Sequence, residues 1–128
     1  MARIIVIDDD AAVRGAVRRV LEPLGHEVLE ADDGAAGLAL LADAGAALVI
    51  TDIFMPGQDG IETVRRIRKE FPTVKMLVMS GGDSTGRMDL RRDAVLLGAA
   101  GSLRKPFERE ELVRAVEAVL GGTQGTPR

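Results

Sequence analysis

At 128 residues and 46% hydrophobic content, the chain is sized for one domain with a core of its own. It has no cysteine, which excludes disulfides and thiolate metal sites, and no signal-peptide h-region, so the expected compartment is a reducing cytoplasm. A net charge of −3 and an aromatic content of 2% (Phe54, Phe71 and Phe107) argue against direct nucleic-acid binding, and no apolar run approaches the roughly 20 residues of a membrane span.

Short apolar runs alternate with longer segments of helical period, the pattern of a parallel sheet covered by helices. The first strand is expected over 3–8 and runs directly into Asp8, Asp9 and Asp10. Asp10 is placed to cap a helix over 11–24, with Val13, Val17, Val20, Leu21 and Leu24 on one stripe. His26, the single histidine, precedes a strand over 27–31 and reads as a surface residue. A second helix over 33–44 leads to a third strand over 47–52. Met55, Pro56 and Gly57, then Asp59 and Gly60, shape a turn and the cap of a third helix. That helix carries Ile61, Val64, Ile67 and Phe71 on one face and stops before Pro72.

A fourth strand over 74–80 supplies Met76 and Met79 as core filler. An arginine-rich helix over 87–97, a fifth strand over 101–105 and a last helix with Leu112, Val116, Val119 and Leu120 complete the series. The third and fourth strands are the most continuously apolar and so the most central. The basic clusters "RRIRK" and "DLRRD" read as solvated helix faces. The domain is expected over 1–121, with 122–128 as a flexible glycine-rich tail, either a natural terminus or the start of a linker.

In an open α/β sheet, ligands bind outside the carboxyl ends of the strands. Those ends deliver Asp8 and Asp9 from the first strand, Asp52 from the third, Ser80 from the fourth and Lys105 from the fifth. Crowded anions repel and raise one another's pKa unless a cation sits among them. Oxygen donors, an ammonium, a hydroxyl and a carboxylate free to attack suit phosphoryl chemistry around Mg²⁺. No calcium-loop spacing occurs.

The segments "VIDDD" (6–10), "LVITDIFMPGQDG" (48–60), "VMSGG" (78–82) and "LRKPF" (103–107) together resemble the receiver domain of two-component response regulators, across about 3–120. The resemblance implies an α/β fold: a single doubly wound, flavodoxin-like, five-stranded parallel sheet of order 2-1-3-4-5 with five flanking helices. It makes Asp52 the phosphoacceptor, Lys105 its counter-ion and Ser80 the hydroxyl that follows the phosphoryl group. Mg²⁺ would be held by Asp9 directly, Asp8 largely through water, Asp52 and the backbone carbonyl of Phe54, with Asp10 outside. A cis bond before Pro106 is also implied. The donor would be a phosphohistidine on a sensor histidine kinase or histidine phosphotransfer protein, a role His26 does not fill.

Phosphorylation would draw Ser80 inward and shift the face of the fourth helix, read by an output protein. A homodimer through the fourth helix, fifth strand and fifth helix is the pairing such a surface allows. Three positions depart from the family's pattern. Ser102 stands where many relatives carry a switching aromatic, which moves the expected coupling to Ser80 and the "GGDSTG" loop. Phe54 and Gly82 stand where other members place side chains that tune hydrolysis, and neither positions a water. Slow hydrolysis is therefore expected, with Phe54 shielding the acyl phosphate and Gly82 leaving the site more open.

Three other readings compete. An aspartate-nucleophile phosphatase needs a second acid two residues after the nucleophile, where this chain has Phe54. A receiver-shaped binding module that never takes phosphate leaves the acids, hydroxyl and lysine unexplained. A longer DNA-binding regulator would need a helix-turn-helix, and none follows Leu120 in this sequence; if the chain is complete, output is expected from the domain's own surface, shaped by Arg87, Arg91 and Arg92.

Overall fold

The computed structural model describes residues 2–55, 58–81 and 98–121. Its strands are β1 (Arg3–Ile7), β2 (Glu27–Ala31), β3 (Leu48–Asp52), β4 (Phe54–Met55), β5 (Gln58–Asp59), β6 (Lys75–Ser80) and β7 (Gly101–Arg104). Its helices are α1 (Ala11–Leu21), α2 (Gly34–Ala44), α3 (Gly60–Glu70) and α4 (Arg109–Gly121). Five strands form one parallel sheet in the order β2-β1-β3-β6-β7. Counted among themselves in chain order they read 2-1-3-4-5, the doubly wound order expected. The helix expected over 87–97, Gly82 with most of the "GGDSTG" loop, the arginines at 87, 91 and 92, and the 122–128 tail lie outside the described residues.

The strict alternation of the pleat sorts the core into two layers. Ile4, Val6, Leu48, Ile50, Leu77, Met79 and Leu103 face Val17 and Leu21 of α1 and Leu112, Val116 and Val119 of α4. Ile5, Ile7, Val49, Met76 and Val78 face the other way, against Leu41 of α2 and Val64 and Ile67 of α3. Because helices cover both faces, the inner strands are apolar at nearly every position. β1 is as interior as β3 and β6, although Arg3 and Asp8 at its ends shorten its apolar run.

Helix starts follow local chemistry. Asp10 caps α1 by accepting from Ala12 N–H at 2.8 Å, and Asp33 caps α2 by accepting from Ala36 N–H at 2.8 Å. α1 ends sooner than its apolar stripe suggests, because Glu22–Leu24 tightens into a 3₁₀ turn closed by Gly25 at φ 98°. The change of winding rotates Leu24 off the stripe, and it is 42% exposed rather than core. His26 lies at the surface with a partner of its own. It is half-buried, and its Nδ1 accepts from Ala2 N–H at 3.1 Å. Burial pushes its pKa below the usual 6.5, in keeping with a ring held as the neutral acceptor.

Between β3 and α3, β4 and β5 pair antiparallel, Phe54 with Asp59 and Met55 with Gln58. The pair returns the chain so that α3 begins hard against the end of β3. A Cβ on Gly60 would lie 2.1 Å from the Ile53 carbonyl oxygen and 2.8 Å from that of Asp52. Backbone, unlike a side-chain tip, cannot step aside. Gly60→Ala should therefore cost roughly 2–3 kcal/mol of stability in urea unfolding, whereas Gly121→Ala, with nothing within 4 Å of the added carbon, should stay within about 0.5 kcal/mol of the parent.

Candidate functional site

Pleat parity carries directly into the site. Ile4 and Val6, Leu48 and Ile50, and Leu103 all point to the α1/α4 layer, so the next positions of the same parity, Asp8, Asp52 and Lys105, emerge on that side where the strands run out. Register completes the placement: β1 lies beside β3 with Ile7 opposite Thr51, and β3 beside β6 with Asp52 opposite Met79. One carboxylate oxygen from each of Asp8, Asp9 and Asp52 falls within 4.8 Å of the others. Lys105 Nζ donates to Asp8 Oδ2 at 2.9 Å and to Asp52 Oδ2 at 3.1 Å.

Asp8 is held on every side. Its N–H donates to the Ala31 carbonyl at 3.1 Å, its Oδ1 accepts from Asp10 N–H at 2.9 Å, and its own carbonyl accepts from Arg14 Nη1 at 2.7 Å. Asp8 is fully buried and Asp52 is 3% exposed, whereas Asp9 faces solvent. Burial pushes the Asp8 carboxyl above its usual 3.8. The Asp10 N–H and Lys105 work against that rise, and the neighbouring Asp52 charge adds to it. Burial also acts to lower Lys105, but its hydrogen bonds to Asp8 and Asp52 outweigh it and hold the ammonium above 10.5.

Three carboxylates thus gather at one rim, where two are buried against a shared ammonium and the third, Asp9, is exposed. Hard oxygen donors with excess negative charge are the donor set a small divalent cation such as Mg²⁺ takes, so the residues present fit that ion.

The remaining expected residues stand close by. Ser80 ends β6 at 1% exposure, and its carbonyl accepts from Lys105 N–H at 2.8 Å. Phe54 opens β4 two residues beyond Asp52; its side chain lies outside the described residues. Asp10 is occupied as a cap, and the Lys105–Pro106 bond is cis. Sequence reasoning missed Arg14 and Glu30. Arg14 Nε donates to Glu30 Oε1 at 3.0 Å while its Nη1 holds the Asp8 carbonyl. The available signal was an arginine one turn into α1 and a glutamate in the following strand, a pairing visible only once α1 is laid over β2.

The family described as the response regulator receiver domain matches residues 4–117. The response regulator MprA of Mycobacterium sp. (strain KMS) is 39% identical over 121 residues, 94% of this chain and 51% of MprA. The transcriptional regulatory protein FixJ of Bradyrhizobium diazoefficiens is 37% identical over 117 residues, 91% of this chain and 56% of FixJ. The chain spans about half the length of the curated relatives it matches. Among solved structures, the chemotaxis protein CheY4 of Vibrio cholerae superposes with a TM-score of 0.83 at 30% identity, covering 94% of this chain and 99% of that one. The receiver domain of NtrX from Brucella abortus gives 0.83 at 31% identity, covering 91% and 97%.

The raised Asp8 pKa has a definite sign for stability. A carboxyl that titrates higher in the folded than in the unfolded chain stabilises the fold below 3.8, and loses that contribution as pH rises through its folded value. At neutral pH the charged, buried form is a net cost. In chelator, Asp8→Asn should melt above wild type at pH 7, and the advantage should shrink as pH falls towards 3.8. A gap in melting temperature that does not change with pH would contradict this account.

Proposed function

The chain belongs to the response regulator receiver domain family, and on that premise we propose that Asp52 accepts a phosphoryl group from a phosphohistidine on a sensor kinase or phosphotransfer partner. A carboxylate oxygen of Asp52 attacks phosphorus. The P–N bond breaks, its electron pair leaves with the imidazole nitrogen, and an acyl phosphate remains on Asp52. The observation that carries this reading is the gathering of the Asp8, Asp9 and Asp52 carboxylates at the strand ends, with the Lys105 ammonium bonded to Asp8 and Asp52.

Each residue has a defined part. Asp52 is the nucleophile, held at a fixed angle by Lys105, which also offsets charge on the incoming phosphoryl oxygens. Ser80, buried at the end of the adjacent strand and tied by its carbonyl to the Lys105 N–H, is the hydroxyl assigned to the phosphoryl group. Asp8, Asp9, Asp52 and the Phe54 carbonyl would hold Mg²⁺, which when bound supplies neutralisation of phosphoryl charge. Asp8 is fixed by its backbone and Lys105 contacts, so its oxygens need no reordering to serve there.

Beside the site runs an open groove of about 450 Å³, floored by Ala12, Val13 and Ala16 of α1 and walled by Pro106 and Phe107. Small apolar side chains next to a charged reaction centre suit the helix of a protein that presents its histidine at the end of a side chain. We assign the donor's approach to this groove. Signalling through the fourth helix expected over 87–97, a domain over 1–121, pairing of two copies, and work in the cytoplasm belong to the same proposal. Among the described residues, no helix is long and apolar enough to cross a membrane.

Intact-mass measurement tests the assignment. Wild type incubated with a phosphorylated histidine donor and Mg²⁺ should gain one phosphoryl group; Asp52→Asn, or wild type in chelator, should gain none. Unmodified wild type beside a competent donor would overturn it. Because Phe54 cannot align a water by hydrogen bonding, Phe54→Ala should shorten the lifetime of the acyl phosphate in a chase experiment, and a lengthened one would remove its shielding role.

A further inference from the structure

Arg14 lies one turn into α1 with 17% of its side chain exposed, and its guanidinium serves two partners at once. Nε donates to Glu30 Oε1 at 3.0 Å and Nη1 to the Asp8 carbonyl at 2.7 Å. Glu30 sits on β2 opposite Val6, and its second oxygen is bonded by Arg18. Arg18 also reaches Glu22 and the Val28 carbonyl, both away from the acidic loop. Two arginines therefore clamp one glutamate across the seam between α1 and β2, but of the two Arg14 alone continues to the loop that bears the acids.

The carbonyl that Arg14 takes is the one joining Asp8 to Asp9. Holding it sets the plane of that peptide, and so the position of the Asp9 Cα from which the side chain leaves the backbone. We propose that Arg14, aligned by Glu30, is a positioning residue that keeps the Asp9 carboxylate beside Asp8 and Asp52 before any cation arrives. The restraint is needed because the three carboxylates repel and Asp9, exposed, gains by turning to water. Asp8 is anchored by its N–H and both carboxylate oxygens; Asp9 inherits its orientation through the peptide Arg14 grips. Glu30 balances the guanidinium charge, so the effect is one of orientation more than of local potential. The consequence for cation affinity rests on Asp8, Asp9 and Asp52 being a metal site; the consequence for loop order does not.

Arg14→Met keeps the apolar stem and removes both bonds. Arg18→Met cuts the same glutamate and spares the loop. Two quantities separate them: amide exchange at Asp10 in metal-free protein, since that N–H reports its bond to Asp8 Oδ1, and Mg²⁺ affinity by calorimetric titration. Arg14→Met should exchange about tenfold faster at Asp10 and bind Mg²⁺ about 10- to 100-fold more weakly, the usual range for losing a group that orients a ligand. Arg18→Met should lose stability yet leave both quantities within about twofold of wild type. Should Arg14→Met fail to fold, Arg14→Lys, which keeps the charge but cannot span both partners, should show the same changes at smaller size.

Wild-type exchange and affinity in the Arg14 variants, or equal losses in Arg18→Met, would overturn the proposal. Wild type without Mg²⁺ affinity would refute the metal site instead, and the exchange comparison would still decide the role of Arg14.

Discussion

Electrostatic crowding at the end of the sheet is the constraint from which the rest of the molecule can be understood. Asp8 and Asp52 are brought out of water on the same side of the pleat, Asp9 stands next to them, and Lys105 is bonded to the first two. Taking carboxylates out of water is expensive, and one ammonium offsets only part of it. The upward push on the Asp8 carboxyl is the visible mark of what remains uncompensated. A fold that tolerates such a site has to hold it from behind.

Much of the surrounding architecture has that effect. β1, β3 and β6 are buried on both faces, so the strand ends that carry the acids cannot slide without exposing Ile5, Val49 or Leu77. Gly60 lets α3 start against the Ile53 and Asp52 carbonyls, which fixes the exit of β3. Lys105 N–H bonded to the Ser80 carbonyl ties the β7 end to the β6 end, and Arg14 ties α1 and β2 to the Asp8 peptide. Strand packing and these three ties thus stiffen one small rim. Such support is what a site with preorganised charge requires, since the cost of gathering the anions is met by packing elsewhere.

The strands and the site acids were readable from the chain because period-two alternation and strand ends are properties of contiguous residues. Asp10 was readable as a cap for the same reason: an aspartate just ahead of a helical stripe needs no tertiary partner to act. Leu24 was misread because the 3₁₀ turn at Glu22–Leu24 breaks the phase that assigned it to the core. The hydrogen bond His26 accepts was not legible because its partner, Ala2 N–H, is 24 residues away. Arg14 and Glu30 were invisible for a deeper reason. Their meaning depends on three segments meeting, and only the register that sets Val6 opposite Glu30 brings that glutamate under the α1 arginines.

The two kinds of legibility divide along the chemistry. Groups that would touch a phosphoryl or a cation are strand-end residues, announced by short contiguous motifs. Groups that hold those residues in place are drawn from whichever neighbouring element has the reach, and an arginine is suited to this because its rigid fork can satisfy a carboxylate and a carbonyl together. A lysine in its place has a single donor centre and has to choose between Glu30 and the Asp8 carbonyl. The same asymmetry explains why Lys105, a point charge on a flexible stem, stands where two carboxylates must be met from one atom, and Arg14 where a peptide plane must be set. At Lys105 charge is what matters, at Arg14 shape, and the acidic rim needs both.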